Sequence, residues 1–270
     1  MLSRFALTVA LACPLLAQGV KIEFDPVSPD VIKARLGSGP ASNDARAAAL
    51  HKMFDEAGCT GAMLADQAVK SGRQPNVVCT SDGQTSSTIV IGAHLDFAEG
   101  GDGVIENWSG ASLLPSLFAS LRSTPRKHKF VFVGFADREK GRRGSTFYVK
   151  NLSADGKGAI KAMIDVEALG LASTRIDLAQ GDKSLSGKMG SIAKSLKLSV
   201  MGADNSLISE SDGRTFVDAK IPVLSIHSLS PEKKLSYSGK DTLSAINMTE
   251  YYASYRLIAA YLVYLDQTLN

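Results

Sequence analysis

The chain has 270 residues, of which 44% are hydrophobic and 21% are charged, proportions that are ordinary for a globular protein. Its net charge of +3 comes from 30 basic and 27 acidic residues spread along the sequence, so no basic stripe favours binding to nucleic acid. After the first residues, no apolar run approaches the length of a membrane span. The composition therefore predicts a globular protein and speaks against a nucleic-acid-binding or membrane-spanning one.

Residues 1–17 have the layout of a secretory signal peptide. One positive charge, at Arg4, precedes an apolar stretch over 5–16 that is too short to cross a membrane, and Ala17 offers a small residue for cleavage. A lipoprotein signal with Cys13 as the modified residue is disfavoured, because Pro14 follows it directly. We therefore predict cleavage after Ala17 and a secreted or periplasmic location.

About 250 residues remain after this processing, a length that suits one large α/β domain as well as two small ones. The segment 37–43 is rich in Gly, Ser and Pro and is expected to separate an N-terminal arm, residues 18–43, from a main domain, residues 44–270. Two cysteines are left, Cys59 and Cys79. In an oxidising compartment such a pair most simply forms a disulfide, and two buried free thiols are the alternative.

Helices and strands alternate along the main domain. Apolar residues at helical spacing predict helices over 44–57, 109–121, 146–152, 185–196 and 249–265. Runs of β-branched and apolar residues predict strands over 76–80, 87–93, 129–136, 159–166, 175–178 and 222–226. This alternation predicts a single α/β domain with a mixed, mostly parallel sheet and helices on both faces.

Polar segments follow four of these strands: His94-Leu95-Asp96, Asp137-Arg138-Glu139, Asp165-Val166-Glu167 and His227-Ser228. Each segment alone has an ordinary interpretation, such as a histidine at a sheet edge or a solvated run of charges. However, ligand pockets in such sheets lie beyond the carboxyl ends of the strands. Four polar segments at that edge predict a site for metal binding or proton transfer.

Two residues in this part of the sequence are candidate metal ligands. His94 ends a strand, and the carboxylate of Asp96 is placed to hold its other ring nitrogen. Glu106 could bridge cations from the loop that opens the next helix, or it is an ordinary acid near a helix N-terminus. Of the other histidines, His128 is expected at the surface, and His227 is expected to satisfy backbone groups.

Several blocks of the sequence resemble those of the secreted co-catalytic zinc aminopeptidases, peptidase family M28, which also holds the glutaminyl cyclases. They are Gly-Ala-His-Leu-Asp at 92–96, Glu-Asn-Trp-Ser-Gly-Ala at 106–111, the segment 135–145, and Asp241-Thr242 with Ile246. The resemblance runs from about Asp44 to the end of the chain. It implies a zinc-exopeptidase-like fold for the main domain.

The resemblance also implies positions for the family's functional residues. Members hold two zinc ions with two histidines, two aspartates and a glutamate, and a second glutamate acts as base on the metal-bound water. The ligand positions fall on His94, Glu106, Glu139, Glu167 and Tyr237. Asp96 is the partner of the first histidine, and the base falls on Arg138. The segment with Ser211, Asp212 and Phe216 resembles the lining of the family's substrate pocket.

These positions depart from the family's pattern in charge and in length. Arg138 cannot accept a proton near neutral pH, because the pKa of arginine lies above about 12, and it places a positive charge where two metal ions would sit. Both aspartates are lengthened to glutamate, and Tyr237 is a poor zinc ligand. Asp137 is next to the lost base, but its side chain is expected to point elsewhere. We expect Arg138 to neutralise the site's glutamates in place of zinc.

Taken together, the residues and the resemblance predict an exported member of the family with a degenerate site. It would hold one zinc ion or none, and it would bind peptides or a protein partner. A weak aminopeptidase with one zinc held by His94, Glu106 and Glu167 is the alternative. A cyclase acting on N-terminal glutamine is a third possibility, which the loss of the base weakens equally.

Overall fold

The computed structural model describes residues 20–98, 101–203, 211–229 and 241–270, so the predicted signal peptide and Tyr237 lie outside the described residues. The helices are α1 (Pro29–Gly37), α2 (Asn43–Glu56), α3 (Ser109–Ala111), α4 (Leu114–Leu121), α5 (Arg143–Asn151), α6 (Ala154–Ala159), α7 (Lys183–Leu196), α8 (Gly213–Asp218) and α9 (Met248–Thr268). The strands are β1 (Leu64–Gln67), β2 (Asn76–Ser81), β3 (Thr88–His94), β4 (Lys129–Phe135), β5 (Ile160–Val166), β6 (Thr174–Asp177), β7 (Val200–Ala203) and β8 (Val223–His227).

The described strands form one mixed sheet in the order β1-β2-β4-β3-β5-β8-β6-β7. Strand β3 is parallel to both β4 and β5, and β5 is parallel to β8. Strands β2 and β6 are antiparallel to β4 and β8 respectively. The predicted mixed α/β sheet is confirmed. The four parallel strands at its centre end at the same edge, where the site residues are expected.

Helices cover both faces of the sheet, because each face is apolar. On one face the core includes residues of α2, α4, α7 and α9, for example Leu50, Leu117, Ile192 and Leu262, all nearly inaccessible to solvent. On the other face Tyr148 of α5 and Phe216 of α8 pack against Phe135 of β4, with ring centroids 5.9 and 6.0 Å apart. Burial of these side chains stabilises the sheet that positions the site.

The N-terminal arm contains helix α1, which the sequence did not predict. Ser28 caps its start and Pro29 takes its first position, a combination that favours helix initiation. Ile32 and Leu36 are buried in the core beneath α9, and the hydroxyl of Tyr255 accepts a hydrogen bond from the backbone N–H of Val27 at 2.6 Å. The arm is therefore packed onto the main domain. With two buried positions, its apolar pattern is too short to reveal a helix.

Two further differences from the predicted elements have local causes. The helix expected over 109–121 is divided into α3 and α4, because Pro115 has no N–H to donate to the preceding turn. The expectation that His128 lies at the surface is wrong. Its ring is fully buried, and its Nδ1 lies 3.1 Å from the backbone carbonyl of Asp266 near the end of α9.

The predicted disulfide joins Cys59, which follows α2, to Cys79 in β2, with their Cα atoms 6.2 Å apart. The bond ties the end of α2 to the sheet. Across the described ranges, no helix combines the length and the apolar character needed to cross a membrane.

Candidate functional site

His94 is the last residue of β3, and its ring is fully buried between two polar partners. Its Nδ1–H donates to the backbone carbonyl of Asp96 at 2.7 Å, and its Nε2 lies 3.3 Å from Oε2 of Glu167. Burial alone would lower the pKa of His94, but the negative charge of Glu167 outweighs it and raises the pKa to about 10. The raised pKa favours the protonated imidazole, in which Nδ1 is hydrogen-bonded and Nε2 faces Glu167 without a well-aligned hydrogen bond.

Asp96 has a different role from the one that the sequence suggested. Its carboxylate lies 3.8 Å from Nδ1 of His94, and its backbone carbonyl holds that nitrogen instead. The two carboxylate oxygens accept the backbone N–H groups of Arg138 and Glu139, each at 2.9 Å. Asp96 therefore fixes the backbone of the loop after β4. The sequence missed this, because backbone partners in another loop leave no pattern of their own.

Arg138 and Glu139 extend from this loop into the site and form an ion pair. Nη1 of Arg138 donates to Oε1 of Glu139, and 16% and 22% of the two side chains remain exposed. Burial alone would lower the pKa of Arg138, but the negative charges of Glu167, Glu106 and Glu139 outweigh it and hold the pKa above its ordinary value. The guanidinium is therefore a cation of the acidic cluster formed by Glu106, Glu139 and Glu167, beside the imidazole of His94.

Glu106 and Glu167 differ in charge state. Burial would raise the pKa of Glu167, but His94 and Arg138 hold it below its ordinary value, so this carboxylate is ionised. The pKa of Glu106 is raised, first by burial and then by the negative charge of Glu167. Glu106 is thus the group of the cluster most ready to take up a proton. The charged groups of the cluster therefore pair with each other, His94 with Glu167 and Arg138 with Glu139.

Two side chains outside the cluster hold the loop that carries Glu106. Asp241 accepts the backbone N–H groups of Ile105 at 2.5 Å and of Glu106 at 3.4 Å. Asn107 donates from Nδ2 to the carbonyl of Val166 at 2.8 Å, and its Oδ1 accepts the N–H of Ala168 at 2.9 Å. The loop after β3 is therefore fastened to the loop after β5.

Arg46 of α2 is a further support that the sequence analysis missed. It is fully buried and donates to the carbonyls of Pro40, Leu95 and Asp102, at 3.3, 3.0 and 2.8 Å. Its guanidinium carbon lies 4.2 Å from the ring centroid of Phe97. A signal for it existed, because Arg46 precedes the buried Leu50 by four residues and so lies on the apolar face of its helix.

Deeper in the site lie two buried carboxylates, Asp165 of β5 and Asp212 before α8. Asp165 accepts the N–H of Gly213 at 3.2 Å. Burial raises the pKa of Asp165 well above its ordinary range and that of Asp212 to about 7. Phe216, which the resemblance placed near the pocket lining, is fully buried beneath the sheet. His227 accepts the N–H of Leu229 at 3.1 Å, in line with the predicted contact with the backbone.

The donor set does not fit a metal ion in this arrangement. Within the described ranges, no three His, Cys, Asp or Glu side chains are grouped so that they could hold one. The reason lies in their pairing: Nε2 of His94 faces Glu167, and Glu139 is paired with Arg138. A ligand must direct a free lone pair at the metal ion. Oε1 of Glu167 has no hydrogen-bond partner, but His94 is directed at Glu167 and Glu139 at Arg138, so their lone pairs do not converge on one point.

A cleft of about 320 Å³ opens beside the loops after β3 and β4. It is lined by polar residues of these loops, of the start of α2 and of the segment before β2, including Asp44, Gln74, Asp137 and Lys140. Asp137 accepts the backbone N–H of Arg73 at 3.0 Å, so one oxygen of its carboxylate is held by the segment before β2. This contact agrees with the expectation that the side chain of Asp137 points elsewhere than the side chain of its neighbour Arg138.

Comparison with known proteins relates this architecture to one family. The profile of peptidase family M28 matches residues 76–262. An aminopeptidase of Pseudomonas aeruginosa is 31% identical over 135 residues, which are 48% of this chain and 25% of that protein. The chain thus matches about a quarter of the length of this relative.

Solved structures share the fold at low sequence identity. The LapA aminopeptidase of Legionella pneumophila superposes with a TM-score of 0.76 and 19% identity, over 90% of this chain and 73% of that one. The glutaminyl cyclase of Porphyromonas gingivalis gives a TM-score of 0.70 and 16% identity, over 87% and 97%. With the profile match across more than half of its length, the chain belongs to peptidase family M28.

Proposed function

We propose that the protein is an exported, non-catalytic member of peptidase family M28 that binds peptides or a protein N-terminus through the cleft of its fold. The observation that carries this proposal is Arg138 at the position of the family's base, paired with Glu139. A general base must take up a proton near the working pH, and a guanidinium cannot. Loss of such a base commonly slows a reaction by about a hundredfold to ten-thousandfold.

Arg138 also supports the proposal through its charge. Its guanidinium is attracted to Glu167, Glu106 and Glu139 together, so it supplies positive charge to the carboxylates that metal ions neutralise in the family. A fixed cation there repels an incoming divalent ion. At an effective dielectric constant of about 20, two charges about 4 Å apart interact by about 4 kcal/mol per pair of unit charges. We therefore expect a metal-free site.

A weak aminopeptidase with one zinc ion is the second candidate. The proximity of His94 to Glu167, at 3.3 Å, favours it, because these are two of the three ligands that it needs. Glu106 would be the third, and its carboxylate is close enough to Glu167 to be affected by its charge. Zinc would have to displace the proton between His94 and Glu167.

Elemental analysis of the purified, tag-free protein after dialysis against trace zinc separates the candidates. We expect almost no zinc, and no turnover of a panel of aminoacyl substrates. About one zinc ion per chain with turnover would establish the single-metal aminopeptidase. About two zinc ions per chain would contradict the expectation that Glu106, Glu167 and Tyr237 are unsuited to hold the family's two metals. The same preparation from a secreting host is expected to begin at Gln18, and an N-terminus at Met1 would refute the predicted cleavage.

A further inference from the structure

The cleft beside the acidic cluster has hydrogen-bonding groups that the fold leaves unused. Its volume of about 320 Å³ is at the lower end of the range for small-molecule sites, roughly 300–1,000 Å³. It lies between the start of α2, the segment before β2, and the loop after β4. With the loop after β3, four parts of the chain therefore converge on the same space.

Two of the segments that line the cleft supply donors: the segment before β2 and the loop after β4. Arg73 and Lys140 line it, and neither side chain forms an ion pair with a residue that the structure describes. Gln74 lies between β1 and β2 and is only 6% exposed. Its Oε1 accepts the N–H of Ala47 at 2.8 Å, which fixes the orientation of the amide. Its Nε2 donates no hydrogen bond to the described residues and is not itself buried, so an oriented amide donor at the surface of the cleft is left for a ligand.

The carboxylates of the same cleft are not equally available. Both oxygens of Asp96 are occupied by backbone N–H groups, and one oxygen of Asp137 accepts the N–H of Arg73. Glu139 is paired with Arg138. Asp44 is different, because its side chain is exposed in the first turn of α2 and makes no hydrogen bond or ion pair with a described residue. The cleft thus offers unused donors together with one unused carboxylate.

We propose that this cleft binds a small zwitterion, a free amino acid or a dipeptide. Its carboxylate is held by Arg73, Gln74 and Lys140, since charge-assisted bonds to a guanidinium or an ammonium are the strong ones. Its ammonium group is held by Asp44. The inference rests on the proposed function, because it treats the cleft as a site that binds a ligand and does not consume it.

Calorimetric titration with alanyl-alanine and a panel of free amino acids tests the ligand class. Alanyl-alanine amide and N-acetyl-alanyl-alanine are the blocked probes, each lacking one of the two charges. We expect saturable binding of at least one free zwitterion, and binding about tenfold weaker or more once either end is blocked. Equal binding of free and blocked probes, or no binding of any free zwitterion, would overturn the inference.

The variant Gln74→Glu tests the amide donor that lines the cleft. Glutamate keeps an oxygen for the N–H of Ala47 but replaces the amide donor by a second oxygen, so the fold is retained and the carboxylate of the ligand is repelled. We expect a loss of affinity of about tenfold or more. Lys140→Gln is expected to weaken binding as well, whereas Lys194→Gln, an exposed residue of α7 outside the cleft, has the same change of charge and should leave it unchanged.

Mass spectrometry of the titrated dipeptide separates the two proposals. Intact dipeptide with zwitterion-selective binding supports both. Cleaved dipeptide would refute the non-catalytic function, while selective binding of uncleaved free amino acids would still support the cleft. Intact dipeptide with no binding of any zwitterion would refute the proposed ligand of the cleft and leave the non-catalytic function standing.

Discussion

The supports of the site and its charged centre are built from different kinds of contact. The supports are side chains that bind backbone groups: Asp96 holds two N–H groups, Arg46 holds three carbonyls, and Asn107 connects two loops. The centre consists of side chains that bind each other, with His94 facing Glu167 and Arg138 paired with Glu139. Backbone contacts fix where the loops lie, and the side-chain pairs set the charge of the site and which of its groups are available to a ligand.

If this division is correct, removing a support should cost the most stability. Arg46→Met keeps much of the side chain's length but leaves the carbonyls of Pro40, Leu95 and Asp102 without their donor. We expect the free energy of unfolding to fall by about 4 kcal/mol, because hydrogen bonds to a buried charge are lost together. Denaturant titration measures it. Arg256→Met, an exposed residue of α9, is the control, and an equal loss there would contradict the division.

A change at the centre should depend on the presence of metal. Arg138→Glu adds a carboxylate to a cluster that already contains Glu106, Glu139 and Glu167, and removes their cation. In chelator, the variant is expected to lose about 3 kcal/mol, since breaking a partly buried pair leaves charges unpaired. Added zinc should restore part of this stability.

Thermal melting with and without zinc measures both effects. Lys140→Glu makes the same change of charge at an exposed neighbour and should shift stability by less than about 0.5 kcal/mol. An Arg138→Glu variant that melts in chelator at the temperature of the unmodified protein would show that Arg138 is not the cation of the centre.

The smallest change in stability is expected at Asp212, which lies deeper than the charged centre, and this change depends on pH. Burial raises the pKa of Asp212 from 3.8 to about 7, so between these values the folded protein keeps a proton that the unfolded chain releases. Stability therefore falls as pH rises through this window. Asp212→Asn removes the cost of ionising the buried carboxyl group, which the rise in its pKa places at about 4 kcal/mol above pH 7. The variant also buries an amide, and that burial offsets part of the gain.

We expect Asp212→Asn to stabilise the protein by about 2 kcal/mol at pH 8 and to lose this advantage by pH 5. Melting curves at the two pH values measure it. Asp55→Asn, an exposed residue of α2, should show no such dependence. The same stabilisation at both pH values would mean that the carboxylate of Asp212 does not titrate in this window.

The sequence predicted the fold well, because strands that alternate with helices along the chain indicate a mixed, mostly parallel α/β sheet. It also brought the candidate residues to the correct sheet edge, since parallel strands end together. It did not predict the direction of individual side chains. Whether Asp96 holds His94 or a neighbouring loop depends on differences of about 1 Å, and these are set by packing. The same holds for His128, whose partner at 266 is remote in sequence.

The manner in which Asp96 holds the loop after β4 has a consequence for how the site changes over evolutionary time. Its carboxylate binds backbone N–H groups, which every residue except proline provides. The path of the loop therefore does not depend on which side chain stands at position 138. A residue of either charge can therefore stand at position 138 without a change in the path of the chain, so the charge of this centre can change in a lineage while the architecture is inherited intact.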